Sequence, residues 1–156
     1  MENNELLKSA SKIKKVSKDG LKEYVDKIDM LAAKMNETML KREDIFELIG
    51  GEKNISKMKA NHDNHLRFVA AILQTPDSKT LVDTLLWVFR SFMSRGFTSK
   101  YWEVQINTCI KLIKENLSEK AFYEILSIYN WINVNILNFT TAANEEIEKS
   151  KHMDNE

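Results

Sequence analysis

Residues 61–97 read NHDNHLRFVAAILQTPDSKTLVDTLLWVFRSFMSRGF, and this stretch decides the fold. With Met58 before it, the first half places Met58, His62, His65, Leu66, Val69, Ile72 and Leu73 at steps of three and four along one helix face. Pro76 cannot continue that helix, because its ring removes a donor and clashes with the preceding turn. Asp77 or Ser78 can cap the next one, whose core side is Leu81, Leu85, Val88, Phe89 and Phe92, and Gly96 fits the turn that closes it. The spacing predicts helices over 55–74 and 79–94.

The same pattern extends in both directions. Residues 1–16 are polar and weakly amphipathic, a short or fraying helix, and Asp19-Gly20 breaks the chain after them. Leu21, Tyr24, Val25, Ile28, Leu31, Ala32, Met35 and Met39 then keep helical spacing for five turns. A short helix at 43–49 is stopped by Gly50-Gly51. Downstream, Ser99 can cap 100–117, with Trp102, Ile106, Cys109, Ile110, Ile113 and Leu117 on one stripe. Ser118 precedes a long helix to about 148, and the polar tail 149–156 is expected to fray. No segment alternates apolar and polar residues as a half-buried strand does, and there is no internal repeat. The expectation is an all-α fold in one domain, 1–156.

Composition narrows the function. The chain has 156 residues, 23 Lys plus Arg against 23 Asp plus Glu, and a hydrophobic fraction of 43%, enough for a substantial core. A balanced charge argues against a nucleic-acid binder, which needs excess cations to displace counterions. Four Gly and one Pro among 156 residues exclude collagen-like and Gly/Pro-rich disordered classes. The single Cys109 excludes an intramolecular disulfide framework and a Cys-based zinc site. The N-terminus has no continuous apolar core of a signal peptide, and no window reaches the length of a membrane span, so a cytoplasmic location is expected.

Searches for catalytic patterns find no Gly-rich phosphate loop, no Gly-x-Ser-x-Gly elbow and no His-Glu-x-x-His. Cys109 lies on an apolar helix stripe, where a thiol is inert, and the carboxylate pairs Glu43/Asp44 and Glu145/Glu146 fall on solvent faces. No enzyme is expected. The candidate site is interior. His62 and His65 are one turn apart on an apolar stripe; either they are core histidines bonded to a neighbouring helix, or they line a ligand cavity as donors to a carboxylate or halide. With no third ligand nearby they are weak evidence for zinc, and helix 79–94 offers no proximal histidine for haem. Arg90 either turns inward as an anion partner or snorkels to the surface. Arg67 is expected in solvent. Asn133, Asn135 and Asn138 interrupt the last helix, and Asn133, close to the core stripe between Ile132 and Ile136, either specifies an interface register, bonds a buried ligand or lies on the helix surface. Tyr101, Val104, Trp131, Val134 and Leu137 lie off the main stripes of the last two helices; they either form a homodimer interface completing a four-helix bundle or pack on helix 21–40.

His65-Leu66-x-Phe68, Pro76-Asp77, Leu81-Val82-x-x-Leu85-x-Trp87, Arg95-Gly96-Phe97 and Ile106-x-x-Cys109-Ile110-x-x-Ile113 together resemble the haem-less globin sensor domains of stressosome proteins and of a sporulation sensor histidine kinase. The helix order resembles that of a globin, and a similar pattern precedes cobalamin-binding domains. As a stand-alone chain it most resembles the plasmid-encoded sporulation inhibitory proteins. The resemblance implies a globin-like bundle without haem, a dimer through the last two helices, an apolar tunnel for a fatty acid, and a polar chamber that can hold an ion such as chloride. It also implies that the chain inhibits sporulation as a decoy for the histidine kinase, by withdrawing its ligand or by pairing with it. On this reading the acyl chain lies among Leu31, Met35, Leu66, Val69, Leu85, Phe89 and Ile110, with its carboxylate near His62 and His65. The alternatives are a haem- or cobalamin-related globin-like sensor, and a helical adaptor without a small ligand.

Overall fold

A computed structural model describes residues 3–154; Met1, Glu2 and the last two positions of the expected polar tail lie outside the described residues. Among the described residues there are nine α-helices and no strand: α1 Asn3–Ala10, α2 Lys18–Asp26, α3 Ile28–Leu40, α4 Ile45–Ile49, α5 Ile55–Gln74, α6 Ser78–Met93, α7 Ser99–Asn116, α8 Glu119–Val134 and α9 Ile136–Asp154. The fold is all-α. Buried side chains from every helix, from Leu6 of α1 to Ala143 of α9, join one core. The most extensive pairings are α6 with α9, α3 with α5 and α7, and α8 with α2 and α7. None of the helices is long and apolar enough to cross a membrane.

Several helix boundaries follow from single side chains. Asp77 caps α6 by accepting from the Thr80 amide, and Ser118 caps α8 by accepting from the Ala121 amide. Thr98 rather than Ser99 caps α7. Gly20, expected as a breaker, lies inside the first turn of α2, whose cap is Ser17. It is buried because the Glu124 carboxylate of α8, which accepts from the Ser17 hydroxyl at 2.8 Å, occupies the space a Cβ would need.

Two long helices expected from the sequence are each divided. Lys27 (φ −106°, ψ 4°) leaves helical geometry between α2 and α3, and its ammonium donates to the Asn116 carbonyl at the C-terminal end of α7, where a cation is favoured. Asn135 (φ −104°, ψ 4°) divides the last helix into α8 and α9. Its side-chain amide donates to the Trp131 carbonyl at 2.8 Å, taking the acceptor that its own backbone N–H would use in a continuous helix. Asn138 donates to the Asn135 side-chain oxygen at 2.9 Å and completes the corner. Residues 149–154, expected to fray, continue α9.

The base of the α6–α7 corner is held by a close backbone crossing. Gly50 has φ +82° and Gly96 φ +111°, and a Cβ on Gly50 would stand 2.7 Å from the Gly96 carbonyl oxygen. Buried Asn54 ties the same corner by donating to the carbonyls of Ile49 at 2.8 Å and Arg95 at 3.0 Å.

Candidate functional site

The sequence placed His62 and His65 on one stripe, and the structure separates them. Three residues of an α-helix turn through about 300°, which leaves the two side chains about 60° apart around the axis. His62 leans toward α3, where its Nδ1 lies 2.6 Å from the Asn36 side-chain oxygen, and its ring stacks at 6.5 Å on Tyr101. The tautomer with hydrogen on Nδ1 satisfies that contact. His65 instead meets the edge of Tyr129 of α8, with ring centroids 5.5 Å apart, and faces a cavity.

That cavity has a volume of about 270 Å³ and lies between α5, α6 and α7, with Ile132 of α8 closing its floor. Leu85, Phe89, Phe92 and Ile106 form its apolar wall; Asn61, His65 and Gln105 give it a polar edge. Exposed Asn64 and Trp87 and half-buried Phe68, Thr84 and Val88 line it too, so its mouth lies between α5 and α6. Trp102 is pinned against Phe89, rings stacked 4.1 Å apart at 13°. The Asn61 side-chain oxygen accepts from both the Tyr101 hydroxyl at 2.9 Å and the Gln105 amide at 2.8 Å.

Among the described residues, three buried ring nitrogens have no hydrogen-bond partner: His62 Nε2, His65 Nε2 and Trp102 Nε1. Leaving a buried donor or acceptor unpaired costs about 1–3 kcal/mol, and native interiors keep few of them. Two of the three residues line the cavity. Burial pushes the His62 pKa from 6.5 down to about 3, helped by the neighbouring His65, and pushes His65 down to about 4. Both imidazoles are therefore neutral at pH 7 and recognise partners by hydrogen bonding, not by charge.

Of the ten residues assigned to ligand binding from the sequence, His65, Leu85 and Phe89 line the cavity, while Leu31 packs in the closed core. Met35, Leu66 and Val69 pack in the closed core, where the Leu66 carbonyl accepts from the Tyr24 hydroxyl at 2.9 Å, and half-buried Ile110 lies elsewhere on α7. Arg90 is exposed on the other side of α6, in a surface groove with Glu145 and Glu146, so it takes the snorkelling alternative and does not meet the histidines. Tyr101 and Trp131, candidates for a dimer interface, are enclosed within the subunit. Tyr101 is bonded to Asn61, and the Trp131 indole donates to the Ser9 hydroxyl at 2.9 Å. Val104 is half-buried, whereas Val134 and Leu137 are 76% and 75% exposed. Asn133 reaches Asn107 only at 3.5 Å; the buried asparagine of that segment is Asn135.

The sequence reading missed Asn61, Trp102 and Gln105 as cavity residues. A signal for the first existed: Asn61, His65 and Phe68 are spaced by four and three and share one stripe, distinct from His62, Leu66, Val69 and Leu73. Buried Cys109 has its thiol pKa pushed up to about 12 by desolvation, which suppresses the nucleophilic thiolate. Among the described residues no cluster of three or more His, Cys, Asp or Glu could hold a metal ion. No family model, no curated protein and no solved structure matches the chain, so the cavity between α5, α6 and α7 stands on its own chemistry.

Proposed function

We propose that this chain is a globin-like sensor domain that works without haem and takes an aliphatic amphiphile into the cavity between α5 and α6. One observation carries the reading: an apolar, surface-connected cavity of about 270 Å³ is lined by two residues, His65 and Trp102, that each hold an unpartnered buried nitrogen. A cavity of that character is the usual form of a small-molecule site, near the lower end of the common size range of about 300–1,000 Å³. The globin-like arrangement is supported by the helix order and by the position of the cavity between the helix after the Gly50-Gly51 turn and the helix that follows it.

The fatty-acid class implied by the sequence resemblance is one such amphiphile, entering the cavity with its carboxyl protonated. Its withdrawal from a sporulation sensor histidine kinase is the signalling consequence that the same resemblance implies. Exposed Val134 and Leu137, beside the α8–α9 corner, are proposed to be covered by a second copy of the chain.

A thermal-shift series with straight-chain amphiphiles of increasing length tests the site. At a hundredfold excess over Kd a ligand adds about 2.7 kcal/mol of stability, which for a chain of this size raises Tm by about 5–10 °C. A flat Tm across the series, with no small molecule released on denaturing the purified protein, would remove the proposal.

A further inference from the structure

The chemistry of the cavity also specifies the ligand's head group. The inference rests on the cavity being a ligand site. None of its lining residues is Lys, Arg, Asp or Glu, and His65 is the one histidine among them. The ionisable group packed against that imidazole from α8 is the Tyr129 phenol, itself fully buried; α6 and α7 bring no charged side chain to the lining. Arg90, the nearest candidate counter-ion by sequence, is on the far side of α6 with Glu145 and Glu146. A carboxylate taken inside would lose its water without gaining a cation, which is the costly case.

What the cavity does offer is neutral polar side chains at its edge, the Asn64 amide and the Thr84 hydroxyl, which can donate and accept. A hydroxyl or carbonyl oxygen satisfies such groups without importing charge. Size follows from volume. A dry cavity of about 150 Å³ takes benzene, six non-hydrogen atoms, so 270 Å³ corresponds to about eleven. We infer that the cavity selects a medium-chain alcohol or carbonyl compound of roughly that size over the carboxylate of the same length.

The experiment compares 1-decanol with decanoate by isothermal titration on the full chain at pH 7.5, each below its own solubility limit. The alcohol is expected to bind at least tenfold tighter. The upper limit is about a thousandfold, set by protonating an ordinary carboxyl at that pH before it enters. The gap should close about tenfold for each pH unit toward pH 5.5, because the acid is taken up protonated while the alcohol is indifferent to pH. Equal or tighter binding of decanoate at pH 7.5 would place the head group at the solvent mouth and overturn the inference while leaving the ligand site intact. Binding of neither compound would mean that water fills the cavity, and the ligand-site proposal itself would fall.

Discussion

Acidification should unfold this protein through its two interior histidines. In the unfolded chain each has an ordinary pKa of 6.5; in the folded protein burial holds His62 near about 3 and His65 near about 4. A depressed folded pKa means that the stabilisation is fully present above pH 6.5 and is lost as pH falls toward those two values. At pH 4.5 an unfolded histidine lies two decades below its pKa and gains about 2.7 kcal/mol by binding a proton, at about 1.4 kcal/mol per decade. The folded protein forgoes nearly all of that gain at both sites. Stability should therefore drop by about 5 kcal/mol between pH 8 and pH 4.5, a large part of the 5–15 kcal/mol that holds a typical domain. Urea unfolding followed by far-ultraviolet circular dichroism at several pH values measures it. Exposed carboxylates held low by hydrogen bonds, such as Glu23 with Ser118 and Asp77 with Thr80, lose stability in acid with the same sign. The histidine part is isolated by comparing wild type with the His62→Gln, His65→Leu double variant. The variant's stability should fall far less steeply between pH 6.5 and 4.5. Equal slopes in the two proteins would refute the reasoning.

Other outcomes follow from single contacts. Gly50→Ala should cost more than 2 kcal/mol, adding a clash with the Gly96 backbone to the roughly 1–2 kcal/mol penalty of a left-handed conformation. Gly51→Ala meets no neighbouring atom, but at φ +113° and ψ 167° it enters a backbone region that only glycine adopts and should cost about 1–3 kcal/mol; denaturant midpoints measure both. Asn135→Ala removes the bonds that turn α8 into α9 and should destabilise by about 1–3 kcal/mol in the same assay. On the proposed dimer through Val134 and Leu137, wild type should sediment as a dimer and the Val134→Asp, Leu137→Asp variant as a monomer, with Tm nearly unchanged because both side chains are exposed within the subunit. Cys109 should react with a thiol reagent only as fast as the chain opens, so its labelling rate should track denaturant concentration.

The sequence was most informative where local chemistry and apolar spacing agree. The α5, α6 and α7 segments, the Asp77 and Ser118 caps and the place of His65 on a buried face could all be read from it. The corners at Lys27 and Asn135 could not, because apolar periodicity continues straight through both while the break is made by one side chain reaching a carbonyl. His62 and His65 looked equivalent because an apolar stripe is broad, yet 60° of rotation separates a histidine bound to Asn36 from one facing a cavity. Tyr101 and Trp131 looked surplus to one helix face. Their burial depends on Asn61 of α5 and Ser9 of α1, partners distant in sequence. Arg90 had two readings on helix geometry, and the groove beside α9 decided for the surface.

The central claim, that the space between α5 and α6 receives an aliphatic amphiphile, is tested most directly by crystals grown with 8-bromo-1-octanol and measured at the bromine absorption edge. One anomalous peak is expected inside the cavity bounded by His65, Leu85 and Trp102. Ordered water filling that space, with bromine elsewhere or nowhere, would contradict it.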